Sequence, residues 1–323
     1  MTERNPTPEG VAAAAKRLAR HVVRTPLLPL EWRGVRLWVK AECLQEGGSF
    51  KLRGATNRLL LLSDSERARG VVAFSSGNHA QGVAIAARRL GIKAAIVMPS
   101  DAPAVKRDAT LAAGAEIVTY DRMTESREEI AGRLAEARGA TLVPSFDDVD
   151  VIEGQGSAGV EIGEQLGGRP DRVLVPCGGG GLSAGIALAL PESRIVTVEP
   201  EGWDDMARSL AAGQPVPVAE PAPPTRCDAL QTKLVSPLTL GALRQSRVHG
   251  IRAGEAEIEE AMAFAARHLR IVAEPGGAVA LAALLAGRAG EVTERTVVVV
   301  SGGNVDPALY ASILAAQAAE RER

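Results

Sequence analysis

Short runs of β-branched residues alternate with alanine-rich amphipathic segments along most of the chain. Apolar runs of this kind predict strands, and the amphipathic segments predict helices. In the first half we expect strands at 71–74, 94–98, 116–119 and 141–143, and helices at 78–90, near 125–138 and from about 155. A second series of strands is expected at 172–175, 194–199 and 297–300. This βαβ order predicts parallel sheets covered by helices, which is an α/β fold.

The segment 213–224 departs from this pattern, because it is rich in proline and has no periodicity. We interpret it as an excursion over the surface and not as a linker between domains. The chain of 323 residues, 46% of them apolar, is long enough for one large or two ordinary domains.

Composition excludes several classes of partner. A formal net charge of -2 provides neither the basic surface that nucleic acids need nor an acidic tail. The N-terminus lacks the apolar core of a signal peptide, and charged residues near 288–295 interrupt the apolar stretches close to the C-terminus. Cys43, Cys177 and Cys227 are far apart and lack CxxC spacing, so neither disulfides nor zinc are indicated. We therefore expect a soluble cytoplasmic protein that binds small molecules.

Lys51 stands in an unusual setting for a lysine, next to Phe50 and just after the pair Gly47 and Gly48. A predicted helix follows it. If the amine is partly buried, its pKa is lowered and its neutral form can attack an aldehyde. The alternative is a solvated lysine at the start of a helix.

Polar residues crowd the turn between the strand at 71–74 and the helix at 78–90. The turn reads Ser75, Ser76, Gly77, Asn78 and His79. Free backbone N–H groups at the start of a helix favour a carboxylate or a phosphate. The alternative is an ordinary helix cap made by the Ser and Asn side chains.

Four consecutive glycines, Gly178–Gly181, join another predicted strand to a helix. Their backbone can curl closely around a phosphate, whereas the lysine of a nucleotide P-loop is missing. Ser301 follows the apolar strand at 297–300, at the carboxyl end of the strand, where open α/β sheets bind their ligands. An amine, an anion site, a phosphate cradle and a neutral hydrogen-bonding group together meet the needs of pyridoxal phosphate.

These four motifs, in this order, resemble the fold-type II pyridoxal-phosphate enzymes, specifically the serine/threonine dehydratase and serine racemase branch. The resemblance spans nearly the whole chain and implies a tryptophan synthase β-like α/β fold with two open parallel-sheet domains. It implies a large cofactor-binding domain, residues 1–51 and 145–323, and a small inserted domain, residues 52–144, that clamps the substrate.

The same resemblance implies a role for each motif. Lys51 would carry the cofactor as a Schiff base, with Phe50 stacked beside the ring. Asn78 would bind the ring hydroxyl, and Ser301 would face the pyridine nitrogen. The glycines Gly178, Gly179, Gly180 and Gly181 would hold the phosphate. The substrate carboxylate would lie on the turn formed by Ser75, Ser76, Gly77, Asn78 and His79.

The implied reaction is the dehydration of L-threonine, L-serine or 3-hydroxyaspartate to a 2-oxo acid and ammonia, with Lys51 as the base. A serine at the pyridine nitrogen favours elimination over transamination. One alternative is a serine or aspartate racemase in which Ser76 acts as an acid on the opposite face, although Ser76 could also be a helix cap. Another is a protein that binds pyridoxal phosphate without catalysis.

A divalent cation, magnesium or calcium, is also implied. The side chains of Glu199 and Asp205 and the carbonyl of Trp203 match the cation-binding segment of racemase-like members, and hard oxygen ligands suit both ions. The alternative is a solvated acidic loop. The segments 144–148 and 227–230 depart from the family pattern near the substrate. We further expect a homo-oligomer, a dimer, and a catabolic role, because no regulatory domain follows Arg323.

Overall fold

Two sheets organise the protein in this computed structural model, which describes residues 4–75, 77–102 and 104–321. The strands are β1 Leu27–Trp32, β2 Val35–Ala41, β3 Val71–Phe74, β4 Ala94–Pro99, β5 Glu116–Tyr120, β6 Thr141–Leu142, β7 Arg172–Pro176, β8 Arg194–Pro200, β9 Arg247–Ala253 and β10 Thr296–Val300. The helices are α1 Pro8–Leu18, α2 Lys51–Leu60, α3 Asp64–Arg69, α4 Asn78–Leu90, α5 Ala104–Ala112, α6 Arg127–Arg138, α7 Val149–Gln165, α8 Gly181–Ala189, α9 Asp205–Ala212, α10 Pro237–Arg244, α11 Glu255–Phe264, α12 Pro275–Leu285 and α13 Pro307–Arg321.

The larger sheet has six strands in the order β1-β2-β10-β7-β8-β9. Only β1 runs antiparallel to its neighbour, and the other described pairings are parallel. β10 lies between β2 and β7, and all five of its residues are buried. A β-branched run buried on both faces is what a central parallel strand requires.

The smaller sheet has four parallel strands in the order β5-β4-β3-β6. Its strands come from residues 71–142, which lie within the segment that we predicted to form the inserted domain. The exact domain boundaries stay a prediction.

Helices cover both faces of each sheet. On the larger sheet, α11 and α12 pack on one face, and α7, α8 and α10 pack on the other. On the smaller sheet, α4 packs on one face and α6 on the other. The predicted α/β class with parallel sheets is therefore confirmed, since each sheet is a layer between helices.

The element boundaries differ from expectation mainly at α7 and at the outer strands. α7 begins at Val149 and not near Gln155, because Asp148 caps it by accepting a hydrogen bond from Val151 N over 2.9 Å. We did not predict β1, β2 or β9. Residues 213–224 contain no helix or strand, which agrees with a surface excursion. Among the described residues, no helix combines the length and apolar character needed to cross a membrane.

Candidate active site

The segment before Lys51 is held against the end of β10. Gly47 and Gly48 have φ values of 76° and 72°, a left-handed conformation that favours glycine. They turn the chain so that Ser49 pairs with Gly302 in an isolated antiparallel bridge. α2 then begins at Lys51, which places the lysine beside the carboxyl end of β10.

The Lys51 amine lies in the wall of a cavity and is hydrogen bonded. Its Nζ donates to the Ser145 carbonyl over 2.9 Å and lies 5.1 Å from the centre of the Phe50 ring. Burial lowers the pKa of Lys51 to about 8, against the opposing effect of Glu274. Near neutral pH, more of this amine is uncharged than in a solvated lysine, as a nucleophilic amine requires.

The turn after β3 lies at the start of α4, as predicted. The Ser75 hydroxyl accepts a hydrogen bond from Gly77 N over 3.2 Å, and α4 begins at Asn78. Ser76, also predicted here, lies outside the described residues. The first N–H groups of a helix have no partner within it, so this turn can bind a carboxylate.

His79 attaches the start of α4 to the segment after β6. Its Nε2 lies 2.8 Å from the Val143 carbonyl, and since a carbonyl only accepts, Nε2 carries the hydrogen. Nδ1 is buried and has no hydrogen-bond partner among the described residues. Burial, with the nearby Lys51, lowers the pKa of His79 to about 3. The ring is therefore neutral, and this turn can donate to an anion through its backbone N–H groups.

Asn78 is hydrogen bonded through both ends of its amide. Nδ2 donates to Glu274 Oε1 over 2.6 Å, and Oδ1 accepts from Asn304 Nδ2 over 2.8 Å. Burial raises the pKa of Glu274 to about 7, and the charge of Asp228 adds to the effect. Our sequence analysis missed Glu274. The available signal was a carboxylate directly before Pro275, the first residue of α12.

The glycines Gly178–Gly181 form the turn between β7 and α8. A Cβ at Gly179 would overlap the Phe146 ring, and one at Gly180, where φ is 88°, would overlap Met206. Side chains larger than hydrogen are therefore excluded at both positions. The turn leads into the N-terminus of a nine-residue helix, where the Ser183 hydroxyl is buried without a partner among the described residues. This arrangement fits a phosphate group.

Ser301 lies directly after β10 and beside the lysine segment. It is 4% exposed, its carbonyl accepts from Phe50 N over 3.1 Å, and its N–H donates to the Gly277 carbonyl over 3.3 Å. The structure thus brings Ser301 and Lys51 together, although they are far apart in sequence. The role of the Ser301 hydroxyl stays a prediction.

One cavity of about 730 Å³ connects Lys51 with the turn after β3. Of the predicted site residues, those that line it are Lys51, Ser75, Gly77, Asn78, His79 and Gly179. A volume of this size lies within the usual range for small-molecule sites.

Charged residues in the cavity wall come from segments that the sequence analysis did not assign. Lys106 on α5 forms an ion pair with Asp228, which belongs to the larger half of the molecule. Arg127, the first residue of α6, lies 5.6 Å from the centre of the Phe74 ring and pairs with Glu128 over 2.8 Å. The position of Arg127 at a helix start after a strand was the only signal in the sequence.

The two segments that depart from the family pattern both border this cavity. Ser145 supplies the carbonyl that binds Lys51, and Phe146 packs on Gly179. Cys227 is fully buried, and the next residue, Asp228, lines the cavity.

The predicted cation ligands lie behind the glycine turn, outside the cavity. Glu199 accepts hydrogen bonds from the backbone N–H groups of Met206 and Ala207, each over 2.8 Å. Asp205 is buried, and neither of its carboxylate oxygens has a hydrogen-bond partner among the described residues. Burial raises the pKa of Asp205 to about 7 and also raises that of Glu199, where Asp205 adds to the effect.

Two buried carboxyl groups, of which Asp205 receives no hydrogen bond at either oxygen from the described residues, fit a divalent cation. In the described part of the chain, however, no group of three or more His, Cys, Asp or Glu side chains is placed to hold a metal. A cation here therefore needs oxygen ligands besides the two carboxylates, as the Trp203 carbonyl and water would provide.

Comparison with known proteins finds a matching family model and similar proteins along most of the chain. The family model described as pyridoxal-phosphate dependent enzyme matches residues 18–303. The chain is 43% identical over 312 residues to an L-threo-3-hydroxyaspartate ammonia-lyase from Pseudomonas sp, with 94% of this chain and 97% of the relative covered. It is 36% identical over 317 residues to a serine racemase from Schizosaccharomyces pombe, with 96% and 97% covered.

Solved structures agree. Maize serine racemase is similar with a TM-score of 0.89 and 34% identity, covering 99% of this chain and 100% of that one. The serine racemase of Dictyostelium discoideum is similar with a TM-score of 0.86 and 34% identity, covering 93% and 99%.

Proposed function

The chain belongs to the pyridoxal-phosphate-dependent enzymes, and from that premise we propose that it removes water from L-threo-3-hydroxyaspartate to give a 2-oxo acid and ammonia. The predicted branch of serine/threonine dehydratases and serine racemases is confirmed, as is the predicted class of lyase. The choice of substrate is the proposal.

The residues present fit the cofactor. Lys51 has a buried amine of lowered pKa, and Gly178–Gly181 form a turn without side chains at the start of α8, where backbone N–H groups suit a phosphate. We assign the phosphate to that turn, the ring hydroxyl to Asn78, the pyridine nitrogen to Ser301 and one ring face to Phe50. When bound, pyridoxal phosphate supplies an electron sink that stabilises negative charge on the substrate α-carbon.

Lys51 is the base in the proposed reaction. Its Nζ takes the proton from the α-carbon, and the Ser145 carbonyl, 2.9 Å away, holds the amine in position. The β-hydroxyl leaves as water with the proton that Lys51 took. The released unsaturated amine tautomerises to an imine, which water hydrolyses to the 2-oxo acid and ammonia. The substrate α-carboxylate binds the N–H groups at the start of α4, on the turn that carries Ser75 and Asn78.

The proposal of a dicarboxylic substrate rests on two cationic side chains in the cavity. Arg127 and Lys106 line the same cavity as Lys51. Lys106 is paired with Asp228 across the cavity, whereas Arg127 pairs with Glu128, its neighbour in sequence. A β-carboxylate can therefore compete for the Arg127 guanidinium, which binds carboxylates in a bidentate manner.

The test is release of 2-oxo acid from the holoenzyme. L-threo- and erythro-3-hydroxyaspartate, L-threonine, and L- and D-serine are each offered at matched concentrations. We expect the highest kcat/KM with L-threo-3-hydroxyaspartate. A higher kcat/KM with L-threonine would reject the dicarboxylic assignment, and no turnover of any substrate would favour a protein that only binds the cofactor.

Racemisation is the second candidate function, because serine racemases are also similar to the chain over most of its length. We propose Ser76 as its acid. Chiral analysis of recovered L-serine measures the D-isomer formed. Ser76→Ala should lower racemisation more than dehydration, and an equal loss of both would leave Ser76 with a role in the turn alone.

We assign magnesium or calcium to Glu199, Asp205 and the Trp203 carbonyl. The support is the pair of buried carboxyl groups, with the unused oxygens of Asp205. Met206, whose N–H donates to Glu199 over 2.8 Å, also lies against Gly180, so these carboxyl groups are close to the glycine turn. A bound cation would therefore brace the phosphate site from behind.

We also propose that residues 52–144 move as one domain and close the cavity. The Lys106–Asp228 ion pair supports this, since it joins that segment to the rest of the chain across the cavity. Equal domain angles in crystals with and without a substrate analogue would contradict closure.

A cytoplasmic homodimer completes the proposal. Val23, Leu44 and Val272 are each almost half exposed. Their backbones lie near one another, since Gln45 Nε2 donates to the Val23 carbonyl and Gly303 lies against both the Val272 carbonyl and Cys43. Neighbouring exposed apolar side chains are a common feature of an interface. Light scattering should give twice the chain mass, and Leu44→Arg should shift it towards the monomer. A monomeric wild-type protein would reject the dimer.

A further inference from the structure

Consecutive hydrogen bonds join the Gly47 carbonyl to Glu274 through the side-chain amides of Asn304 and Asn78. In each bond, the donor and the acceptor can be assigned. The Gly47 carbonyl accepts from Asn304 Nδ2 over 2.7 Å. Because a carbonyl only accepts, this bond fixes which end of the Asn304 amide is the nitrogen. The second hydrogen of that nitrogen lies towards Asn78 Oδ1, 2.8 Å away, whereas the Gln81 oxygen is more distant at 3.4 Å.

The orientation of the Asn304 amide fixes that of the Asn78 amide. Its Oδ1 is occupied as the acceptor, so its Nδ2 faces Glu274 Oε1 over 2.6 Å. One hydrogen of that nitrogen is used, and the other is left for a ligand in the cavity that Asn78 lines. A reversed Asn78 amide would place its nitrogen against the Asn304 nitrogen and its oxygen against the Glu274 oxygen.

Two glycines leave space for the hydrogen-bonded side chains of Asn304 and Glu274. A Cβ at Gly48 would overlap the Asn304 side chain, and a Cβ at Gly302 would overlap the Glu274 carboxyl group. Asn78 and Glu274 are 8% and 3% exposed, so water does not replace either partner freely. The Glu274 N–H also donates to the Gly302 carbonyl over 3.0 Å, which holds the carboxyl group beside the end of β10.

We infer that Asn304 and Glu274 are positioning residues, which hold the Asn78 amide so that it presents N–H, and not C=O, to the ring oxygen of the bound cofactor. The inference rests on the proposed contact between Asn78 and the cofactor, and not on the choice of substrate. An N–H donor stabilises the deprotonated ring oxygen, whereas a carbonyl would stabilise its protonated form.

The test compares an oxygen acceptor with none at position 274. Glu274→Gln keeps an oxygen that accepts from Asn78, whereas Glu274→Met removes it. Purified apoprotein is titrated with pyridoxal phosphate, and the absorbance of the bound cofactor is followed against pH. We expect Glu274→Met to weaken cofactor binding on the order of tenfold and to raise the pH of the spectral transition. Glu274→Gln should stay close to wild type in both measurements.

Asn304→Asp reverses the polarity at the other end, since a carboxylate donates to neither Gly47 nor Asn78. Like Glu274→Met, Asn304→Asp should raise the pH at which the spectral transition occurs. Glu192→Gln and Asn5→Asp, each at an exposed position, are the matched controls for these two substitutions. Thermal melting of each apoprotein shows that it is folded. If Glu274→Gln behaves like Glu274→Met, the charge and not the orientation matters, and the inference is wrong. Unchanged spectra in folded Asn304→Asp would also overturn it, while wild-type turnover would leave the proposed function standing.

Discussion

Arg53 and Glu42 form an ion pair in which both side chains are completely buried, and Arg53 lies two residues after Lys51. Arg53 Nε lies 2.7 Å from Glu42 Oε2. Burial raises the pKa of Glu42, but the Arg53 guanidinium, with smaller effects of Lys40 and Thr25, outweighs it, so the pKa lies below its usual range. A second carboxylate, Glu161, lies 2.7 Å from Arg53 Nη1. The start of α2 is thus fixed to the residue after β2 and to α7 through charged groups, of which Arg53 and Glu42 are completely buried.

Removing the Arg53 guanidinium should therefore be costly. Arg53→Leu leaves the fully buried Glu42 carboxylate without its ion-pair partner, while Glu161 keeps Lys40 over 2.6 Å, and we expect a loss of about 3–5 kcal/mol in the free energy of unfolding. The exposed pair of Arg24 and Glu164 provides the control, since Arg24→Leu should cost less than about 1 kcal/mol. Denaturant unfolding of the apoproteins measures both. Equal losses in the two variants would show that the buried network adds little.

Lys51→Ala tests the covalent attachment of the cofactor. The visible absorbance of lysine-bound pyridoxal phosphate should be absent, and 2-oxo acid release should fall by at least about a thousandfold, because the nucleophile and the base are lost together. Lys93→Ala, an exposed lysine, is the control and should leave both signals unchanged. Turnover like that of wild type in Lys51→Ala would reject the assigned mechanism.

Local sequence patterns predicted local structure well. β3 and α4 occupy the predicted residues 71–74 and 78–90, because a buried apolar run and an amphipathic segment are separated there by a polar turn. β9 was missed because its burial alternates irregularly and includes three exposed residues. α7 was placed too late because Asp148, which caps it, and Asp150 in its first turn resemble a loop.

The candidate site shows the same division. The motifs around Lys51, Asn78 and Gly178–Gly181 are continuous in sequence, and the sequence alone predicted them. Glu274 contacts Asn78 across 196 positions of sequence, and no local pattern marks such a pair. Only the fold, which places the starts of α4 and α12 side by side, brings these two residues together.

Arg127 should determine the preference for a dicarboxylic substrate. Arg127→Gln removes the guanidinium that we assign to the β-carboxylate, so kcat/KM for L-threo-3-hydroxyaspartate should fall by about 10–100-fold. The value for L-threonine, which has no β-carboxylate, should change less than about threefold. Arg122→Gln, at an exposed ion pair with Asp101, is the matched control. An equal fall for both substrates would mean that Arg127 only supports the cavity wall.

The acidic pair behind the glycine turn predicts a cation effect that depends on pH. Burial raises the pKa of Asp205 to about 7, whereas an unfolded aspartate ionises near pH 4. The folded protein therefore keeps this proton between about pH 4 and pH 7, and in the absence of a cation it loses stability as the pH rises through that range. A divalent cation needs the carboxylate, so magnesium should raise the melting temperature by a few degrees at pH 8 and by much less at pH 6. Asp205→Asn should abolish the difference, and Glu192→Gln, an exposed carboxylate in a surface ion pair, should keep it. A magnesium effect that is the same at both pH values, or that survives in Asp205→Asn, would place the cation elsewhere.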